Sequence, residues 1–296
     1  ISIYIEVEKS LKNEWKISRD TRKRGYSIDQ IVKTIESRKE DERKFIEPQR
    51  KKCDVILKFK KAHDGKIKLS FEYNDQSLTW LINKIKKLYS LLEEFIHVSQ
   101  TISSKINLTQ NKGGNLSFKF DDVIIITESG SSFGEISYFE GFGFYDLQGN
   151  SVFEDQKRPS MEIDCHVQLG PCCLHTHPLH VMPILCSKEC DEILRRVFED
   201  VAIMKYFAPG KTTSQNLNVD RNVFLKNHGI FISRDTIQEC LIDSLIFDQK
   251  CREYLEKRIV DKKFLFPDAF VLEEQNKFYH SYVKDIIRCS GLTPNP

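Results

Sequence analysis

The 296-residue sequence predicts a mixed α/β protein, and three observations carry that expectation. Short apolar runs of strand length recur between polar turns, at residues 123–126, 172–174 and 223–225. Helix-start signals followed by apolar residues at helical spacing occur at Ser27-Ile28-Asp29-Gln30 and Thr236-Ile237-Gln238-Glu239. The chain is 40% hydrophobic and 30% charged, the balance of a soluble globular protein long enough for two domains, or for one domain and an appendage.

Taken in order, the elements follow from spacing. After the capping box at Ser27, the apolar residues Ile28, Ile31, Val32 and Ile35 predict a helix over residues 28–38. Residues 53–59 and 66–73 alternate apolar and polar and read as strands, and Leu78, Leu81, Ile82 and Ile85 start another helix. The run 123–126 is the longest aliphatic cluster and reads as a strand. Thr236 and Glu239 cap a long helix whose apolar stripe includes Ile237, Cys240, Leu241 and Leu245. No repeat or low-complexity tract interrupts this order.

Composition excludes several classes. No apolar run approaches the ~18 residues that span a bilayer, so no membrane role is expected. The nine cysteines are an odd, scattered set, which reads as reduced and mostly buried thiols of a cytoplasmic protein. Cys186 and Cys190 stand at i,i+4 and read as helix packing rather than a metal pair. Net charge is +2, with 17 Lys/Arg against 11 Asp/Glu in residues 1–60 and 28 against 32 in the rest. Because the basic residues of the first part are interleaved with acids, a phosphate-binding or solvated helical face is expected there, not a nucleic-acid patch. The chain starts at Ile1 without a targeting pattern, as part of a longer polypeptide would.

The chemistry concentrates at three histidines. His175 and His177 follow the apolar run 172–174, so at a strand end their side chains point to one face. His228, in Asn227-His228-Gly229 after the run 223–225, would complete three nitrogen ligands and leave a coordination position open. That is the arrangement of a catalytic zinc site rather than a structural one.

The residues around these histidines resemble the class II aldolase/adducin family. The resemblance rests on Gly113-Gly114-Asn115-Leu116-Ser117, Thr127-Glu128-Ser129-Gly130, Arg158-Pro159-Ser160-Met161-Glu162, His175-Thr176-His177-Pro178, Tyr206-Phe207-Ala208-Pro209-Gly210, Lys226-Asn227-His228-Gly229-Ile230 and Pro267-Asp268, all in family order. It covers about residues 90–292 and implies a three-layer α/β/α domain over residues 90–296 with a central, mostly antiparallel sheet, commonly a homo-oligomer and specifically a tetramer. It also implies Zn2+ or another divalent metal on His175, His177 and His228, with Glu162 as general acid/base. Gly114, Asn115, Ser129, Gly130 and Ser160 fall on the family's phosphate-binding positions. The implied activity is aldol cleavage of a ketose phosphate or related sugar phosphate, with epimerisation, dehydration, decarboxylation or an adducin-like scaffold as alternatives. Two positions depart from the pattern: Glu128 stands where Pro is common, and Met161 where some members have a second Ser. His166 is expected to pack or orient the site, His180 offers a further ligand whose direction after Pro178 is unpredictable, and Tyr206 reads as a core aromatic, with substrate contact as the weaker alternative. The stretch between Gly210 and Asn227 is short for the family.

Residues 1–58 resemble the C-terminal part of the phosphoribulokinase/uridine kinase family through Arg19-Asp20-Thr21-Arg22-Lys23-Arg24-Gly25-Tyr26, Phe45-Ile46-Glu47-Pro48-Gln49-Arg50 and Cys53-Asp54-Val55-Ile56. This makes an α/β kinase-derived appendage, with residues 59–89 as a bridge. The phosphate loop Gly-x-x-x-x-Gly-Lys-[Ser/Thr] occurs nowhere in the sequence. Arg19, Arg22 and Arg24 are therefore expected at most to clamp phosphates bound by a kinase core in a longer polypeptide. The chain alone is expected not to be a kinase.

Overall fold

A computed structural model describes residues 1–63, 65–105, 107–109, 112–138, 140–154, 156–199, 201–217, 222–258 and 283–294. Pro267-Asp268 lies outside the described residues. The chain forms two compact units, Ile1–Tyr89 and Ser90–Pro296.

In the first unit, β1 (Ile3–Val7) leads into α1 (Lys9–Arg24) and α2 (Ile28–Ser37), followed by a single turn, α3 (Lys39–Asp41). Two strands follow, β2 (Val55–Lys61) and β3 (Ile67–Tyr73). The capping box at Ser27 forms as expected: Gln30 N donates to Ser27 Oγ at 3.3 Å, and Ser27 N donates to Gln30 Oε1 at 2.9 Å. The sheet order is β1-β2-β3, with β1 parallel to β2 and β2 antiparallel to β3. Its core joins Val55 and Leu57 to Leu78 and Ile82, the last from α4 (Thr79–Ser103).

The second unit is built on a seven-stranded sheet. In chain order its elements are β4 (Asn115–Phe120), β5 (Val123–Thr127), β6 (Phe142–Asp146), α5 (Ile163–Gln168), β7 (Cys172–Thr176), α6 (Val181–Leu185), α7 (Cys190–Val197), β8 (Ala202–Met204), α8 (Lys211–Asn216), β9 (Val223–Leu225), β10 (Gly229–Arg234) and α9 (Ile237–Arg258). The sheet order is β6-β5-β4-β7-β10-β9-β8. Every pairing is antiparallel except β8 with β9, so the mostly antiparallel expectation holds.

Strand alternation assigns the layers. Cys173 and Phe231 share an apolar cluster with Cys165 and Leu169, which puts α5 on the face of His175. Thr176 faces the other way and meets Ser244 of α9, while Phe118, paired with Cys172 on that same face, stacks edge-on against Phe95 of α4. The sheet is thus sandwiched between helices, the three-layer arrangement expected.

The cysteine reading is partly corrected. All nine cysteines are unpaired, and six of them are buried. Cys186 and Cys190 do not share a helix, however: Cys186 closes α6 and Cys190 opens α7, with a turn at Ser187 between them. No described helix is long and apolar enough to cross a membrane.

Candidate metal centre

His175 owes its position to the sheet. It sits on β7 between β4 and β10, opposite Asn115 on one side and Phe231 on the other, and residues directly opposite in a ladder share a face. Phe231 stacks on the imidazole with centroids 4.2 Å apart and planes 22° apart. His175 Nδ1 lies 2.9 Å from the carbonyl oxygen of Ile230, so Nδ1 carries the proton and Nε2 presents its lone pair. His177 lies two residues on, past the last β7 residue, with its Nε2 3.0 Å from His175 Nε2. His228 arrives from the turn between β9 and β10, where Asn227 adopts a left-handed φ of 59°. That conformation is one Asn tolerates better than most residues.

Two glycines let the backbone come this close. A Cβ at Gly229 would stand 2.5 Å from His177 Cδ2 and 2.6 Å from the Thr176 carbonyl oxygen. One at Gly114, whose φ is +83°, would stand 2.6 Å from the His175 carbonyl oxygen.

The ligand atoms of His175, His177 and His228 all fall within 4.8 Å of one another. Glu162, buried at the start of α5, reaches into the same cluster: Oε2 is 3.5 Å from His175 Nε2 and Oε1 is 3.4 Å from His228 Nε2. Burial raises the Glu162 pKa against the opposing pull of His228 and the Asn115 hydrogen bond. Burial likewise holds His175 and His177 well below the ordinary histidine range, and lowers His228. Glu162 Oε1 is buried without a hydrogen-bond donor. Neutral imidazoles sharing one small volume with such an oxygen form a donor set that fits a divalent cation.

A buried hydrogen-bond chain supports Glu162. Asn115 Nδ2 donates to Glu162 Oε2 at 2.7 Å, Asn115 Oδ1 accepts from His166 Nε2, and His166 Nδ1 is 2.7 Å from Ser117 Oγ. His166 is fully buried, and desolvation pulls its pKa down to about 3. A neutral ring with Nε2–H directed at Asn115 fixes the amide so that its NH2 faces the carboxyl. The orienting role read for His166 thus has a geometry. Asn115, expected at the phosphate, meets Glu162 and His166 through its side chain here.

The remaining predicted residues divide. Residues 127–129 run beside residues 158–160, with Ser160 N donating to Thr127 O at 3.1 Å and Ser129 N to Arg158 O at 2.9 Å. Ser160 Oγ lies 3.4 Å from Glu162 N, next to the cluster, while Ser129 and Gly130 occupy an exposed turn. Glu128 is buried and faces Lys157 at 3.6 Å. Tyr206 is 52% exposed, contrary to the core reading, and lies two residues beyond the end of β8 at Met204. His180 points away from the cluster to Asp248 Oδ2 at 2.9 Å. In the first unit, Arg19 and Arg24 reach Asp20 at 2.8 and 3.3 Å, so two of the three expected phosphate clamps are held by a carboxylate of their own helix. Arg22 is exposed on α1.

Spacing alone did not reveal Ser117 or the α9 residues Ser244 and Asp248. For the α9 pair, the available signal was polar residues at helical spacing within a buried apolar stripe.

Comparison with known proteins bears on family and fold. Residues 93–255 match the family model described as Class II Aldolase and Adducin N-terminal domain, and residues 1–65 match the Phosphoribulokinase / Uridine kinase family. Chloroplastic phosphoribulokinase of Spinacia oleracea is 43% identical over 56 residues, covering 19% of this chain and 14% of that enzyme. The chain thus spans about one seventh of that relative's length. L-fuculose phosphate aldolase of Methanococcus maripaludis is 23% identical over 175 residues, covering 53% of this chain and 92% of that enzyme. Among solved structures, the N-terminal class II aldolase domain of a conserved protein from Thermoplasma acidophilum aligns with a TM-score of 0.51 at 20% identity, covering 55% of this chain and 93% of the other. That likeness is one of fold.

Proposed function

The chain belongs to the class II aldolase and adducin family over residues 93–255, and from that footing we propose that it is a divalent-metal-dependent lyase that cleaves or forms a carbon–carbon bond in a ketose phosphate or related sugar phosphate. The observation that carries this reading is Glu162, with its two carboxyl oxygens 3.5 and 3.4 Å from ring nitrogens of His175 and His228. His175, His177 and His228 would hold the ion, and zinc suits three neutral imidazoles. When bound, such an ion supplies Lewis-acid stabilisation of negative charge on a substrate oxygen.

Glu162 is the general acid/base. Burial raises its pKa above the ordinary carboxylate value, the direction that favours a carboxyl taking and returning a proton at the reacting carbon or hydroxyl. Asn115 anchors Oε2 and leaves Oε1 to the substrate side. Gly114, Asn115, Ser129, Gly130 and Ser160 are assigned to the phosphate, through hydroxyl, amide and main-chain donors that carry little bulk. The first unit contains no phosphate loop and is not a kinase by itself. A cytoplasmic compartment suits the unpaired cysteines, and assembly as a homo-oligomer completes the reading.

The test is metal analysis joined to a sugar-phosphate screen. The purified chain is expected to bind about one divalent ion, to release aldehyde and ketone fragments from one member of the panel, and to transfer no phosphate from ATP. Replacing His175 and His177 together with Ala is expected to abolish the bound metal. Unchanged metal content in that double variant would refute the ligand assignment. Products that keep every carbon would replace cleavage with epimerisation or dehydration.

A further inference from the structure

The two ligands of the His-x-His pair are held by different means. His175 is locked in β7 between two neighbouring strands. His177 lies beyond the last β7 residue, so the ladder cannot fix its direction, and something else must.

That support comes from the opposite layer. The buried stripe of α9 comprises Ile237, Cys240, Leu241, Ser244, Phe247, Asp248, Cys251 and Leu255. Ser244 and Asp248 interrupt it one turn apart, where an apolar residue would pack at no desolvation cost. Ser244 Oγ meets Thr176 Oγ1 at 3.0 Å, just before His177. Asp248 takes hold just after it: Oδ1 accepts from His180 N at 2.8 Å, and Oδ2 lies 2.9 Å from His180 Nδ1. Asp248 Oδ2 also accepts from Asn107 Nδ2 at 2.7 Å. The Asn107 segment in turn holds the loop, since His177 N donates to Leu108 O at 3.1 Å and Leu179 N to Asn107 O at 2.6 Å. Pro178 between them has a fixed φ and no N–H. Asp248 thus grips both the ligand loop and the segment on which that loop leans.

We propose that Ser244 and Asp248 are positioning residues that clamp residues 176–180 from behind the sheet, so that the affinity for a divalent cation is set in part from α9. The inference rests on the metal reading above but is tested without any substrate. The full chain, stripped with a chelator, is titrated with Co2+, and its visible absorption reports affinity and ligand geometry.

Asp248→Ala is expected to weaken Co2+ binding by about 10- to 100-fold, the effect typical of removing an outer-shell partner, and to alter the absorption as one imidazole is displaced. Asp248→Asn, which keeps an acceptor for His180 N, is expected to fall between Asp248→Ala and the unmodified chain, and Ser244→Ala to lose less than Asp248→Ala. Cys251→Ala, a cavity one turn further along the same buried stripe, is expected to lower the melting temperature and leave Co2+ affinity intact. Should Asp248→Ala fail to fold, the ordering of Asp248→Asn, Ser244→Ala and Cys251→Ala decides the matter.

The clamp is overturned if Asp248→Ala binds Co2+ as tightly as the unmodified chain, or if Cys251→Ala loses as much affinity as the polar variants. An unmodified chain that takes up no Co2+ overturns the metal reading, and the clamp with it.

Discussion

Replacing His166 with Gln is expected to remove about one proton from the acid unfolding of the second unit. His166 is fully buried, with a folded-state pKa near 3, whereas an unfolded histidine titrates near 6.5. A depressed folded pKa gives stability that is present above the unfolded value and lost as pH falls toward the folded one. At pH 5 the unfolded chain gains about 1.5 pH units of protonation free energy that the folded chain does not, or about 2 kcal/mol from this residue. At pH 7.5 the difference is close to nil.

His175 and His177 shift in the same direction, and Glu162 in the opposite one. A raised carboxyl favours the folded state on acidification, so Glu162 offsets part of the histidine effect. The comparison between the unmodified chain and His166→Gln cancels these shared contributions. Urea unfolding with chelator present, followed by circular dichroism at pH 7.5 and 5.0, gives the two differences. His166→Gln is expected to be less stable at pH 7.5 but to lose about 2 kcal/mol less on acidification. Equal losses in the two proteins would mean that His166 is not held neutral, and the tautomer argument for Asn115 would fall.

Two further outcomes follow from the same cluster. Glu162→Gln is expected to retain the metal and lose about 10²-fold or more in turnover on a verified substrate; near-normal turnover would make Glu162 a structural residue only. Gly229→Ala places a methyl 2.5 Å from His177 Cδ2 and 2.6 Å from a backbone oxygen, so it is expected to cost about 1–3 kcal/mol by overpacking and to weaken metal binding. Unchanged melting and metal affinity would contradict that close approach.

Local pattern made some of this architecture legible and could not reach the rest. The capping boxes at Ser27 and Thr236 formed where they were read, because both partners of each lie within three residues. The same holds for His175 and His177, whose common face follows from strand alternation. His228 was legible through its tight turn. The parallel pairing of β1 with β2 was not, since it joins Ile3 to Val55 across a long insertion and leaves no local mark. The direction of the Asn115 amide left no local mark for a related reason: it is set by His166, 51 residues away. On α9 the apolar stripe was read correctly at Ile237, Cys240 and Leu241, but periodicity counts only apolar residues and passed over Ser244 and Asp248.

The pairing of β10 with β7 bears on the order in which the protein assembles. Phe231 faces His175, and Ile230 faces Thr176; a slip of one residue would turn the partners of His175 to the opposite side of the sheet. The same ladder delivers His228, because Gly229 begins β10. A high-affinity three-imidazole cage therefore cannot exist until β7, β10 and the β9 turn have all settled in register, although they are separated in sequence and their contacts close slowly. Under the proposed metal assignment, cation uptake during refolding becomes a clock for this step: tight capture is expected to trail secondary structure, and a chain that captures early is expected to do so through a mispaired, weaker set of ligands.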